Sequence, residues 1–287
     1  MTFLPHPIIH HPFAYTFGAF SFTGFGLAIL LCFLVGQVVA QQELVRRGFD
    51  PNPVNDMVFA AVVGGLLGAK LYYVVVLHHW DSIFERSGFV FWGGLIGGML
   101  AVMGVVVKKR VGLMRMFDVC APACAAAYAV GRTGCWAVGD DYGRPYEGFL
   151  AVAFPQGAPP STARVMAQEF GTLMPNGSTF TTVLSVYPTQ LYEVALGLVM
   201  FGILWRIRDH KHAEGWLFGV YCTLAGLERF IVEFFRAKDD RFIVGLTYAQ
   251  GIAMAFVLVG LAWMAWLWTV RPGHPDIYET TPAPLAA

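Results

Sequence analysis

Residues 57–77 read MVFAAVVGGLLGAKLYYVVVL, an apolar run interrupted by a single charged residue, Lys70. A helix that spans a bilayer needs about 20 mostly apolar residues, and this run has that length and composition. It shows no alternation of apolar and polar residues, so a helix is favoured over a strand. Further runs lie near residues 17–40, 89–107, 117–131 (shorter), 190–206, 215–235 and 245–269. The sequence therefore predicts an all-α polytopic membrane protein with about seven transmembrane helices and a small extracytoplasmic head region.

The overall composition supports this class and argues against others. Hydrophobic residues make up 56% of the 287 residues and charged residues 13%, whereas a soluble domain carries about 25% charged residues. The formal net charge is zero, so bulk charge gives no reason to expect nucleic acid as a partner. There is no Walker A motif, no glycine-rich dinucleotide motif, and no histidine within a predicted span. No nucleotide, metal or other cofactor is therefore expected.

The distribution of basic residues predicts the direction of the chain, because such residues are enriched on the cytoplasmic side. The segments after spans 1, 3, 5 and 7 all carry them: Arg46, Arg47, Lys108, Lys109, Arg110, Arg115, Arg206, Arg208, Lys211 and Arg271. The N-terminus is thus predicted to be extracytoplasmic and the C-terminus cytoplasmic. The predicted organisation is spans 1–4 in residues 1–131, the head region in 132–189, spans 5–7 in 190–271, and a disordered cytoplasmic tail in 272–287.

Several ionisable residues lie within or at the ends of the spans: Lys70, Arg132, Glu193, Glu228, Arg229, Glu233 and Arg236. Such residues are costly in a bilayer, so each is a functional candidate. On the predicted direction they all converge in the outer half of the membrane.

Two interpretations of these charges remain open. Arg229, Glu233 and Arg236 share one helix face, so they could be an ion-pair ladder that fixes helix packing, and Lys70 could extend towards the membrane surface. Alternatively, the planar guanidinium groups match the geometry of phosphate. The residues then predict an outer-leaflet site for an anionic phospholipid.

Seven short segments together carry a resemblance to a known family. They are residues 25–27 (FGL), 68–73 (GAKLYY), 91–97 (FWGGLIG), 131–135 (GRTGC), 140–144 (DDYGR), 187–193 (YPTQLYE) and 229–236 (RFIVEFFR). In their order and placement the chain resembles the prolipoprotein diacylglyceryl transferases of bacterial membranes.

The resemblance implies a reaction, its partners and a location. A diacylglyceryl group passes from phosphatidylglycerol to the lipobox cysteine in the signal-peptide region of a preprolipoprotein. A thioether forms and glycerol phosphate leaves, without a cofactor. The implied location is the bacterial inner membrane, with membrane lipid around the helices. This is the first step of lipoprotein maturation.

The resemblance also implies roles for individual residues. Arg132 matches the family's signature arginine and Arg229 its second essential arginine, and both are expected to bind the phosphate. Asp140 stands where the family often has glutamate, and it completes the predicted catalytic set. The other predicted substrate-binding residues are Trp92, Arg144, Gln190, Glu193, Glu233 and Arg236.

Three departures from the family pattern leave the proton acceptor open. Trp92 and Tyr187 stand where well-known members carry histidine, and Cys135 replaces asparagine. Tryptophan cannot act as a base, so no histidine remains at these positions. The thiol could lose its proton to hydroxide in a cationic field, or to Asp140 or another acid, or the chain could be a divergent member with altered activity. Cys135 is either a small site-lining residue or a covalent nucleophile.

Two other functions fit the same residues. The cationic site could bind or move a phospholipid without chemistry, or the protein could be an assembly partner for other envelope proteins. The glycines at 93, 94, 97 and 98, with Gly64 and Gly68, are typical of close helix packing.

Overall fold

The computed structural model describes residues 8–17, 20–78, 90–172, 177–238, 241–243 and 245–270. The predicted tail at 272–287 lies outside them. The α-helices are α1 (Gly24–Arg46), α2 (Pro53–Leu77), α3 (Phe91–Lys108), α4 (Leu113–Val138), α5 (Ala163–Gln168), α6 (Thr189–Ile207), α7 (Trp216–Glu233) and α8 (Tyr248–Val270). The strands are β1 (Ile8–Ile9), β2 (Ala14–Phe17), β3 (Phe20–Thr23), β4 (Val152–Ala153), β5 (Ser185–Val186), β6 (Arg241–Ile243) and β7 (Leu246–Thr247).

Six of the long helices in the described part of the chain, α1, α2, α3, α4, α6 and α8, are long and apolar enough to cross a membrane. The predicted class of an α-helical multi-pass membrane protein is thereby confirmed. The seventh predicted span corresponds to α7, which falls short of this composition because it carries Glu228, Arg229 and Glu233. It nevertheless runs along α8 from end to end. Trp263 donates to the Gly215 carbonyl near one end, and Thr247 donates to Glu233 at the other.

Two helix boundaries in the structure differ from their predicted positions, namely the end of α4 and the start of α1. Helix α4 continues to Val138, well beyond the predicted end at residue 131, because the chain first turns at Gly139, whose φ is +71°. Arg132 is therefore inside a helix and not at the start of a loop. Helix α1 begins at Gly24, after the β2–β3 hairpin, because the Thr23 side chain accepts a hydrogen bond from the Gly26 N–H and caps the helix.

Helices α2 and α3 are joined by an unusually close approach of their backbones. A Cβ atom added at Gly68 would lie 2.3 Å from the carbonyl oxygen of Gly93, and one at Gly97 would lie 2.4 Å from that of Gly64. Small residues permit such contacts in membranes, where van der Waals packing holds helices together. The predicted role of these glycines in close helix packing is confirmed.

Replacing Gly68 by alanine is expected to destabilise the protein by about 1–3 kcal/mol, because the added methyl group must push the two helices apart. Gly104→Ala is the matched control, since a Cβ there meets nothing within 4 Å. Thermal unfolding in detergent measures both variants. Equal unfolding temperatures for the two would contradict the close contact.

The segment between α4 and α6 forms a small folded unit of its own. Strand β4 pairs in parallel with β1 and antiparallel with β5, so the N-terminal segment joins this unit. Its core contains the buried residues Tyr142, Val152, Phe154, Ala163, Met166, Leu184 and Val186, together with Ala237 from beyond α7. These contacts tie the unit to the ends of α4, α6 and α7.

A buried ion-pair cluster, absent from the sequence-based expectations, lies at the other end of the helices. The side chain of Glu43 is fully buried and pairs with Arg46 at 2.8 Å and Arg208 at 2.9 Å. Arg47, 1% exposed, lies 3.6 Å from Glu43 and 3.9 Å from the buried Asp118. Its members come from α1, α4 and the segment after α6, so the cluster links the ends of three helices.

Candidate active site

Four helix ends meet at one end of the bundle: the C-terminal ends of α4 and α7 and the N-terminal ends of α6 and α8. Arg132, two turns before the end of α4, donates to Glu193 Oε1 at 2.5 Å and to Asp141 Oδ2 at 2.8 Å. Its Nε donates to the hydroxyl of Tyr128 at 3.4 Å. All three guanidinium nitrogens of Arg132 are thus engaged.

Two further arginines approach the same buried carboxylate. Arg229 on α7 lies 3.7 Å from Glu193 Oε1, and Arg236, just beyond α7, lies 4.0 Å from it. The side chain of Glu193 is fully buried, and its Oε2 has no hydrogen-bond partner. The predicted convergence of the intramembrane charges is confirmed at these four residues.

Arg229 and Arg236 each pair with a second carboxylate. Arg229 pairs with Glu233 at 2.7 Å, the i, i+4 pair that the packing interpretation also predicts. Arg236 donates to Asp141 Oδ1 at 2.7 Å. We call Arg132, Arg229, Arg236 and these three carboxylates, Glu193, Glu233 and Asp141, the arginine cluster.

The turn after α4 brings Asp140 and Asp141 to the cluster. Gly139 ends the helix in the left-handed region, and Asp141 has a φ of +56°, which is unusual for a residue with a side chain. The start of α6 holds this turn in place. Thr189 Oγ1 donates to the Asp141 carbonyl at 2.7 Å, and Gln190 Nε2 donates to the Asp140 carbonyl at 2.5 Å.

The two adjacent aspartates have different acidities. Burial raises the pKa of Asp140 to about 6, and the negative charge of Asp141 adds to the effect. For Asp141, burial alone would also raise the pKa, but the positive charges of Arg236 and Arg132 outweigh it and lower the pKa to about 2. Asp141 therefore remains ionised near neutral pH, whereas Asp140 can gain or lose a proton close to it.

The surroundings of Asp140 suit a proton acceptor. Its Oδ1 is buried without a hydrogen-bond partner. A carboxylate oxygen of Asp140, one of Asp141 and the Sγ of Cys135 all lie within 4.8 Å of one another. Such a group can hold a metal ion in other proteins, but both oxygens of Asp141 already pair with arginines. Two guanidinium charges oppose a cation, so these residues do not fit a metal.

The remaining predicted site residues have different surroundings. Arg144 donates to the Arg236 carbonyl at 2.9 Å, and so supports the backbone of the site. Trp92 lies at the start of α3, is 47% exposed and contacts Phe91 edge to face. Among the described residues, no hydrogen bond or ion pair joins Trp92 to the arginine cluster, and its role in substrate binding stays a prediction. Lys70 lies 5.7 Å from the centre of the Tyr73 ring.

The two other departures from the family pattern lie against the site. Cys135 is 8% exposed, and its Sγ accepts a hydrogen bond from Arg132 at 3.4 Å. This contact suits the small site-lining residue. Tyr187 stacks on Tyr146 with ring centres 4.0 Å apart and packs against Phe235.

Sequence reasoning missed several members of the site. Asp141, which bridges two arginines, stood in a quoted motif but received no role. Tyr128 donates to Glu228 at 2.9 Å, and Thr247 donates to Glu233 at 3.1 Å. The position of Tyr128 one helical turn before Arg132 was the signal available for it. No comparable pattern marked Thr247.

Fold and site together define a multi-pass membrane protein with an arginine-rich site suited to an anionic group. The model of the prolipoprotein diacylglyceryl transferase family matches residues 12–266. The phosphatidylglycerol–prolipoprotein diacylglyceryl transferase of Geobacter sulfurreducens is 29% identical over 264 residues, covering 87% of this chain and 92% of that protein. Its counterpart in Clostridium tetani is 26% identical over 247 residues, covering 83% and 90%. That of Bordetella bronchiseptica is 28% identical over 276 residues, covering 91% and 96%.

The chain therefore belongs to the prolipoprotein diacylglyceryl transferase family. The predicted family is confirmed, and with it the predictions of an enzyme, of a transferase and of a function in lipoprotein biosynthesis.

Proposed function

We propose that this enzyme takes the diacylglyceryl group from phosphatidylglycerol and transfers it to the lipobox cysteine of a preprolipoprotein. The cysteine sulfur attacks the diacylglyceryl carbon that carries the phosphate ester. A carbon–sulfur bond forms as the carbon–oxygen bond breaks, and the bonding electrons leave with glycerol phosphate. The thiol proton passes to an acceptor in the site.

One observation carries this proposal: three arginines surround Glu193 at the meeting point of helix ends. A leaving phosphate gains negative charge, and preorganised guanidinium groups stabilise it most where water is excluded. Arg132 and Arg229 bind the phosphate in the donor lipid and during its departure. Glu193 and Glu233 hold these two side chains in position. Arg236, which shares the Asp141 carboxylate with Arg132, adds a third positive charge for the phosphate. Arg144 and Gln190 support the adjoining backbone.

Asp140 accepts the thiol proton in this proposal. Its buried, unpartnered oxygen and raised pKa support that role. Trp92 has no basic group, so it contributes an aromatic surface for substrate instead. Asp141 is unsuited to accept the proton, since two arginines keep its carboxylate ionised.

The pH dependence of transfer tests the role of Asp140. Because the acceptor must be ionised, kcat/KM should rise with pH and level off above an apparent pKa of about 6. Asp140→Asn should lower the plateau at least about 100-fold, the lower range for general-base catalysis, and remove this limb of the profile. Rates measured between pH 5 and 8 check both. An unchanged limb in Asp140→Asn would assign the proton to another group.

The location and direction are part of the proposal. The enzyme lies in the bacterial inner membrane with the N-terminus and the head region, residues 132–189, outside and the C-terminus in the cytoplasm. Arg46, Arg47 and Arg208 lie at the end opposite the arginine cluster, in agreement with the cytoplasmic enrichment of basic residues. The lipid phosphate then comes from the outer leaflet.

A reconstituted assay tests the function. The purified protein is placed in liposomes containing phosphatidylglycerol and given a synthetic lipobox peptide. The expected result is a peptide heavier by one diacylglyceryl group and an equal amount of released glycerol phosphate, both measured by mass spectrometry. A lipobox peptide with serine in place of cysteine is the control. Movement of lipid between leaflets without either product would instead indicate a lipid-moving protein. If neither lipid movement nor any product is detected, the protein is better explained as an assembly partner.

A further inference from the structure

The arginine cluster is internally balanced, with three arginines and three carboxylates. Each nitrogen of Arg132 already has a partner. Nη2 of Arg236 donates to the Asp141 carboxylate, and Nη1 donates to the Asp141 carbonyl. The Asp141 carboxylate lies between one nitrogen of Arg132 and one of Arg236. A phosphate can bind these two nitrogens together only by taking the place of that carboxylate.

The three carboxylates differ in how readily they can leave. The side chain of Glu193 is fully buried and that of Glu233 is 2% exposed, whereas that of Asp141 is 39% exposed. Moving an ionised carboxylate through an apolar interior is costly, but moving one into adjacent water is not. Asp141 is therefore the carboxylate that can leave its arginine partners and move into solvent.

The backbone of Asp141 has hydrogen bonds of its own, one of them from Thr189, which does not contact the carboxylate. The carbonyl accepts hydrogen bonds from Thr189 and Arg236, which anchor the residue without involving its carboxylate. The carboxylate needs only side-chain rotation to move into solvent. Its two oxygens bind one nitrogen each of Arg132 and Arg236, the same two-oxygen contact that a phosphate makes with two guanidinium groups.

We infer that the Asp141 carboxylate occupies the position of the substrate phosphate and is exchanged for it in each reaction cycle. The carboxylate keeps Arg132 and Arg236 in place in the empty site. The donor phosphate displaces it on binding, and its return displaces glycerol phosphate afterwards. Asp141 is thus a positioning residue that competes with the phosphate. This inference rests on the proposed function.

The direction in which one substitution changes the affinity for glycerol phosphate tests the inference. Asp141→Asn should bind glycerol phosphate about tenfold or more tightly than the unaltered protein, since a charged competitor has been removed. Isothermal titration in detergent and product inhibition of transfer both measure this. Asp141→Glu, which retains the charge, should stay within about threefold of the unaltered protein. A purely structural role predicts the opposite, namely weaker binding once both arginines lose their partner.

A matched control separates the loss of a competing carboxylate from a general change in the electrostatic field. Glu147→Gln removes an exposed negative charge from the same head region without removing a partner of the cluster, and should leave the affinity unchanged. Equal or weaker binding by Asp141→Asn would overturn the inference.

A structure of the unaltered protein with bound glycerol phosphate provides a test that does not depend on a variant folding. The carboxylate of Asp141 should lie beyond hydrogen-bond distance of Arg132 and Arg236. A structure in which phosphate is bound and both pairs persist would overturn the inference while leaving the transferase function intact. Failure of the liposome assay, by contrast, would reject that function and leave these binding results to be judged separately.

Discussion

Replacing Arg132 by lysine should lower kcat/KM for diacylglyceryl transfer about a thousandfold, the upper range for losing one donor to a developing anion. The guanidinium group serves Glu193, Asp141 and Tyr128 from three nitrogens at once. A lysine ammonium is a point charge that cannot reproduce this planar arrangement. Arg132→Ala should lose activity at least as completely. The liposome assay with the lipobox peptide measures both.

The control for this prediction is Arg164→Lys. Arg164 is an exposed residue on α5 whose side chain donates to Gln168 at 2.9 Å, so its replacement should not alter the rate. Circular dichroism checks that the Arg132 variants remain helical. Activity above about a tenth of the unaltered level in Arg132→Lys would mean that a positive charge is sufficient and that the planar geometry of the guanidinium group is not required.

Replacing Glu43 by glutamine should destabilise the protein by about 3–5 kcal/mol, because removal of one partner leaves buried charges uncompensated. The affected charges are those of Arg46, Arg47 and Arg208. The ion-pair cluster around Glu43 lies at the end of the helices opposite the arginine cluster. The specific activity of the variant molecules that remain folded should therefore stay close to that of the unaltered protein.

Thermal or denaturant-induced unfolding in detergent measures this loss, and Asp209→Asn is the matched control. Asp209 also pairs with Arg46, but its side chain is 72% exposed, and exposed pairs contribute about 0–1 kcal/mol. Similar stability for the two variants would show that burial of Glu43 adds nothing. A large loss of specific activity in Glu43→Gln would show that the two ends of the bundle are coupled.

The helices could be predicted from the sequence more completely than their ends. The apolar run at 57–77 became α2 (Pro53–Leu77), with the N-terminal extension supplied by Pro53, a residue favoured at the first turn. The run at 117–131 underestimated α4 because Arg132 and Gly134 made its last two turns look like a loop. Arg132 instead pairs with Glu193 on α6, and Gly134 lies close against Phe25 and Ala28 of α1.

The candidate site was predictable in part, for a similar reason. Arg229 and Glu233 lie four residues apart on one helix, so their pairing follows from helical geometry alone. The positions of Arg132 and Glu193 along their spans placed them at one depth. Asp141 belongs to no helix, and its contact with Arg236 joins residues 95 positions apart. No local pattern encodes such a contact.

The sequence by itself determined that this chain lies in a membrane, which stretches form its helices, and that several of its costly charges gather near one end of them. A bilayer offers no hydrogen bonds to the backbone, so each long apolar run has to be a helix. Only the tertiary structure decided which charge meets which: Glu193 among three arginines, Asp141 between two of them, and Glu43 with Arg208 at the far end. Those pairings depend on how helices distant in sequence pack, because a charge buried between helices pairs with whichever opposite charge that packing brings near it.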